Sequence, residues 1–126
     1  MQLNMLKCKL HKARVTQTEL DYEGSCAIDA DLMDAAGLLE YEQIQIYNLA
    51  NGERFTTYVI RGERGSRMVS VNGAAAHKAG EGDRVIICAY GVVDEEDLPE
   101  FRPTLVYCDG DNNITGLRRE IPLQVA

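Results

Sequence analysis

The sequence offers no run of roughly 18 apolar residues, so no membrane-spanning helix is expected. Its first residues, Met1-Gln2-Leu3-Asn4-Met5, lack a basic segment followed by an apolar one. No signal peptide is read there, and a cytoplasmic location is expected. Cations are scarce: 13 Lys and Arg face 20 Asp and Glu, a net charge of −7. That balance excludes a nucleic-acid groove, which needs a basic face. It also repels an anionic substrate at long range, so a site for one must supply positive charge locally. Histidine is scarcer still, with two in the chain, and the four cysteines (Cys8, Cys26, Cys88 and Cys108) form no C-x-x-C pair. No metal site is expected from them; they read as reduced, partly buried thiols. No lysine motif suggests pyridoxal phosphate, and no repeat, linker or low-complexity tract divides the chain. One domain, residues 1–126, is expected, long enough to bury a core without staples.

What the chain does have is short apolar alternations punctuated by Gly and Asn. Residues 2–11 read as a strand, with Lys7, Lys9 and His11 on one face and Cys8 and Leu10 on the other. By pattern alone, that basic face is the solvated side of an edge strand. Residues 14–18 continue as a polar loop or short strand, and residues 20–28 read as extended, interrupted at Gly24. Residues 29–37 form the clearest helix: Asp29 or Asp31 can cap its start and Gly37 can end it. Residues 43–47 and 54–60 are strands on either side of the hairpin signal Asn51-Gly52. On the second, Arg54, Thr56 and Tyr58 share a face opposite Phe55, Thr57 and Val59. Pattern alone makes Arg54 a surface cross-strand charge and Tyr58 a half-buried aromatic. Residues 67–71 form a strand that runs into Asn72-Gly73 and then Ala74-Ala75-Ala76-His77. That small-residue run is either a short helix or a loop whose open N–H groups face an anion. Residues 84–90 read as a central strand, 94–100 as a solvated acidic loop or short exposed helix, 104–108 as a strand and 109–113 as a turn. The fold class is mainly β, a small closed barrel with short helices.

The stretch Tyr22-Glu23-Gly24-Ser25-Cys26-Ala27-Ile28 stands apart. A serine hydroxyl next to its own preceding carbonyl can attack it, convert the amide to an ester and break the chain by β-elimination. The dehydroalanine left at residue 25 then hydrolyses to a pyruvoyl ketone. Gly24 can adopt backbone angles closed to other residues. A Gly-Ser pair alone is an ordinary turn, and the second one, Gly65-Ser66, is read as such. The first keeps other company: Lys9-Leu10-His11, Asn51-Gly52-Glu53-Arg54-Phe55-Thr56-Thr57-Tyr58, Glu63-Arg64-Gly65-Ser66 and Ser70-Val71-Asn72-Gly73-Ala74-Ala75-Ala76-His77.

In this order and spacing the set closely resembles the pyruvoyl-dependent aspartate 1-decarboxylases. The resemblance is dense over residues 1–90 and returns in Ile121-Pro122-Leu123-Gln124-Val125. It implies a six-stranded double-psi β-barrel and a homotetramer with active sites between neighbouring subunits. It implies self-cleavage at Gly24-Ser25 into residues 1–24 and 25–126, leaving a built-in pyruvoyl group derived from Ser25, with no pyridoxal phosphate and no metal. The implied reaction turns L-aspartate into β-alanine and CO₂, through a Schiff base, for pantothenate and coenzyme A. Lys9 and Arg54 would bind carboxylates, since arginine grips them bidentately. Thr57, Gly73, Ala74 and Ala75 would contact substrate, and Tyr58 would return the proton to Cα. For cleavage, Thr57 is the first candidate donor to the Gly24 oxyanion and Asn72 the second, with His11 and Tyr22 orienting groups nearby. In some members a separate acetyltransferase-like protein promotes maturation. Two other readings stay open: a non-enzymatic barrel that keeps Ser25 as serine, and a pyruvoyl decarboxylase for another acidic amino acid such as glutamate.

Overall fold

A computed structural model describes residues 1–126. Nine strands and one α-helix follow the alternations of the sequence. They are β1 (Gln2–Arg14), β2 (Gln17–Glu19), β3 (Ser25–Asp29), α1 (Ala30–Ala36), β4 (Gln43–Asn48), β5 (Arg54–Gly62), β6 (Val69–Asn72), β7 (Arg84–Asp94), β8 (Thr104–Cys108) and β9 (Ile114–Arg118). All nine belong to one sheet, in the order β2-β6-β3-β5-β4-β7-β1-β8-β9. Two residues separate β1 from β2, yet the two strands lie six places apart in that order. The sheet curves so that this step brings β6 near the end of β1, although its strand order runs open from β2 to β9. Thr16, in the two-residue step, makes that contact: its N–H donates to the Val69 carbonyl at 2.8 Å, and its Oγ1 accepts the Val69 N–H at 2.9 Å. The curl encloses a core of 22 buried residues, Leu10, Val59, Val71, Ile87 and Met33 among them.

Helix α1 is as the sequence announces. Asp29 caps it by accepting the Asp31 N–H, and Gly37 closes it in the left-handed region at φ 78°. Asp29 does more than cap. Its carboxylate also accepts the N–H groups of Gly65 and Arg67, at 3.0 and 2.6 Å, and so ties the end of β3 to the turn before β6. Burial pushes the Asp29 carboxyl up. The three backbone N–H groups and the nearby Arg64 charge outweigh it and hold the carboxyl below its ordinary value. Its stabilising contribution is thus complete above about pH 4 and is lost as pH falls through the lowered folded-state value. Asp29→Asn is expected to destabilise the fold by about 2 kcal/mol at pH 7. Its thermal midpoint should fall less between pH 5 and pH 3 than that of the unmodified chain. An equal acid response in the two proteins would contradict this role.

Four expectations change on contact with the structure. Strand β1 is not an edge: β7 flanks it on one side and β8, running parallel, on the other. Residues 20–24 are turn and bend, and extended structure begins only at Ser25. The left-handed glycine beside the Gly24-Ser25 bond is Gly73, at φ 68°, and not Gly24. Strand β9 was not expected; four of its five residues are exposed, so it carries no apolar alternation to read. The acidic segment forms a 3-10 turn, Glu95–Glu100, with no buried residue. No helix is long and apolar enough to cross a membrane.

Candidate active site

Ser25 opens β3 and has no exposed surface. Its hydroxyl donates to the Glu23 carbonyl at 2.8 Å and accepts from Asn72 Nδ2 at 3.1 Å. Ser25 and Asn72 are cross-strand partners on β3 and β6, which puts both side chains on one face. Asn72 Oδ1 accepts in turn from Ser70 Oγ at 2.7 Å. All three side chains are buried and satisfied, so the chain of hydrogen bonds selects one arrangement. Thr57 makes no hydrogen bond to Gly24 or Ser25. It lies on β5 opposite Ile44, on the face of Phe55 and Val59.

The peptide before Ser25 is held by a missing side chain. A Cβ on Gly73 would sit 2.6 Å from Gly24 Cα and 3.0 Å from Gly24 N. Gly24 itself has open space where a Cβ would be. Glycine is thus required at 73 both for its backbone angle and for this close approach. Gly73→Ala costs about 1–2 kcal/mol of backbone strain and displaces the Gly24-Ser25 peptide, where cleavage is expected. Chain cleavage is expected to slow roughly a hundredfold, as misplacement of reacting groups by an ångström does. Intact mass followed over time measures it, and unchanged cleavage would remove Gly73 from this role. Ala74 and Ala75 follow in the 3-10 turn Gly73–His77; Ala74 is exposed and Ala75 packs partly on the core. Tyr22 is exposed and, with Ala27, Ser70 and Asn72, lines a cavity of about 310 Å³ beside the cluster.

The charged candidates sit elsewhere on the same outer face. Arg54, Thr56 and Tyr58 are exposed on β5, as the alternation predicts. The Arg54 guanidinium lies 3.8 Å over the ring of Tyr47, its cross-strand neighbour. Lys9 Nζ stands 5.8 Å from the Tyr107 ring centre, with Arg118 at 5.2 Å and the His11 ring at 5.3 Å. Neither Lys9 nor Arg54 is paired with a carboxylate of the chain. Burial, and then the charges of Lys9, Lys12 and Arg84, push the His11 pKa down, so the imidazole is neutral at pH 7. Its Nδ1 is the one buried side-chain polar atom without a partner.

These groups form two sets within one chain. The β3–β5 register, carried back one residue from Cys26 opposite Val59, sets Ser25 beside Tyr58 on the same face. Lys9 and His11, by contrast, lie on β1, four places from β3 in the strand order. Arg54 is four residues before Tyr58, about 13 Å along β5. On a sheet curled around its core, outward side chains also diverge. The 310 Å³ cavity is not lined by Lys9, His11, Arg54 or Tyr58.

Residues 1–115 match the family model described as aspartate decarboxylase. Relatives agree over their whole length. The aspartate 1-decarboxylase of Alkalilimnicola ehrlichii is 74% identical over 126 residues, all of both chains. Those of Halorhodospira halophila and Thioalkalivibrio sulfidiphilus are 71% and 68% identical, again over all of both chains. The chain belongs to the aspartate decarboxylase family. The resemblance read from separated motifs is therefore a full-length one.

Two features of this aspartate decarboxylase family chain escaped the sequence reading. Ser70 was legible in principle, because it lies two residues before Asn72 and so on the same face of a strand. Tyr47 was legible too, as the residue across the expected hairpin from Arg54; Tyr107 gave no signal, because β8 meets β1 only through a long-range parallel pairing.

Proposed function

We propose that this chain cleaves itself between Gly24 and Ser25, acquires a pyruvoyl group at residue 25, and converts L-aspartate to β-alanine and CO₂. The observation that carries the reading is the Ser25 hydroxyl, buried beside Gly24 and fixed between Asn72 Nδ2 and the Glu23 carbonyl. The residues fit the group: Ser25 supplies its atoms, Gly73 leaves room for the bond that must break, and no other ketone source is needed. When formed, that ketone is an electron sink for the carbanion that decarboxylation generates. The chain's own residues supply the rest. Arg54 and Lys9, unpaired, bind the two carboxylates of the substrate against the net charge of −7. Gly73, Ala74, Ala75 and Thr57 wall the substrate. Tyr58, next to residue 25 in the β3–β5 register, delivers a proton to Cα. His11 and Tyr22 support the surroundings of the bond.

The separation of Lys9 and Arg54 from Ser25 within one chain supports sites shared between neighbouring subunits of a homotetramer. The two-residue step between β1 and β2 supports a six-stranded double-psi barrel, with β1 and β2 counted as one bent strand followed by β6, β3, β5, β4 and β7. A cytoplasmic location agrees with a biosynthetic role in making pantothenate. The Ser25 proton rests on a peptide carbonyl and not on a base, which favours slow maturation and a place for a promoting partner. The test is direct: cleaved protein is given L-aspartate or L-glutamate, and CO₂ and the amine product are measured. β-Alanine from aspartate at a rate well above any from glutamate is expected. A preference for glutamate overturns the substrate, and no product from either overturns the reading.

A further inference from the structure

Resting on the self-cleavage proposed above, we infer that Ser70 is a positioning residue for the elimination step, acting through Asn72. The chemistry has two stages. First, Ser25 Oγ bonds to the Gly24 carbonyl carbon as the Gly24–Ser25 C–N bond breaks, and the hydroxyl proton passes to the freed amine. Second, Ser25 Cα gives a proton to solvent water, the Cβ–Oγ bond breaks, and Oγ leaves as one oxygen of the Gly24 carboxylate. One further water then converts the dehydroalanine to the ketone and ammonia. Negative charge grows on Oγ in the second stage, and Oγ is the atom that Asn72 Nδ2 touches, at 3.1 Å. A donor already in place on a leaving oxygen stabilises that charge without reorganisation.

An asparagine amide can present either of two atoms. Turned over, Asn72 would bring Oδ1 against Oγ, an acceptor facing a developing anion. In the precursor the Ser25 hydroxyl, donating to Glu23, already turns Nδ2 toward Oγ. Ser70 supports that orientation: its hydroxyl donates to Asn72 Oδ1 at 2.7 Å, which polarises the amide and strengthens Nδ2 as a donor to Oγ. Both side chains are 2% exposed, so the pair is largely withdrawn from solvent. Ser70 opposes Ala27 across the ladder and borders the cavity of about 310 Å³, which leaves room for one more methyl group.

The experiment follows purified, full-length precursor by intact mass, with and without hydroxylamine, which splits the ester and releases residues 25–126 with an intact serine. In Ser70→Ala, overall cleavage is expected to slow about tenfold, the weight of one hydrogen bond at a developing charge. The hydroxylamine-released fraction should rise, because the ester forms but is not eliminated. Ser70→Thr keeps the hydroxyl and should cleave within about threefold of the unmodified chain. Should Ser70→Ala not fold, Ser70→Cys makes the same comparison with a weaker donor. Cleavage of Ser70→Ala at the unmodified rate would overturn the inference. So would slow cleavage without accumulated ester, or Ser70→Thr behaving like Ser70→Ala. An unmodified chain that never cleaves would instead defeat the self-cleavage reading itself.

Discussion

Ser25→Ala is expected to remain a single chain of 126 residues and to release no CO₂ from aspartate. The substitution removes the only atom that can attack the Gly24 carbonyl and the only source of a ketone at residue 25. The fold should tolerate it. Alanine fits the space, and the loss is confined to Asn72 Nδ2, left without its acceptor, and to the bond to Glu23. That costs about 1–3 kcal/mol, a modest share of a domain's stability. A folded, uncleaved and inactive protein is therefore the outcome. Activity in this variant would refute the cofactor claim outright, because no other group in the chain supplies a comparable electron sink. The non-enzymatic barrel reading makes the opposite forecast: Ser25→Ala would leave its function intact.

Tyr58→Phe separates the two chemistries. Tyr58 is next to residue 25 in the β3–β5 register, on the outer face, while Ser25 Oγ accepts from Asn72 and donates to Glu23. Cleavage should proceed at close to the normal rate. Turnover should fall by about 10²–10⁴, the usual contribution of a positioned general acid. The ring remains, so packing is kept and the fall cannot be assigned to misfolding. Cleavage and turnover measured on one preparation give both numbers. Normal turnover would remove Tyr58 as the proton donor, and a cleavage defect would place its hydroxyl in the first chemistry as well.

How far the sequence reaches depends on whether a feature is local. The helix at Ala30–Ala36 is set by its own Asp29 and Gly37, and the β4–β5 hairpin by its alternation and Asn51-Gly52. These are readable because their causes lie within a few residues. The faces of β5 are readable for the same reason: Arg54 and Tyr58 point out while Phe55 and Val59 point in. Pairings between distant segments are not. Nothing in Lys9-Leu10-His11 shows that β8 covers its open side, so an edge was expected where there is none. Nor does Gly24 show that the strained glycine of the site is Gly73, 49 residues on, because the two meet only when β6 closes on β3. Which side chain meets the Ser25 hydroxyl depended on the same closure. The structure brings Asn72 to the hydroxyl.

The central claim is that Ser25 becomes something other than serine. Intact mass of the purified, denatured protein tests it most directly. The expected result is two fragments, residues 1–24 and 25–126, the larger one lighter than its serine form by one ammonia. A single mass for residues 1–126 that persists after prolonged warm incubation would contradict it, and would return the chain to a barrel that keeps its serine.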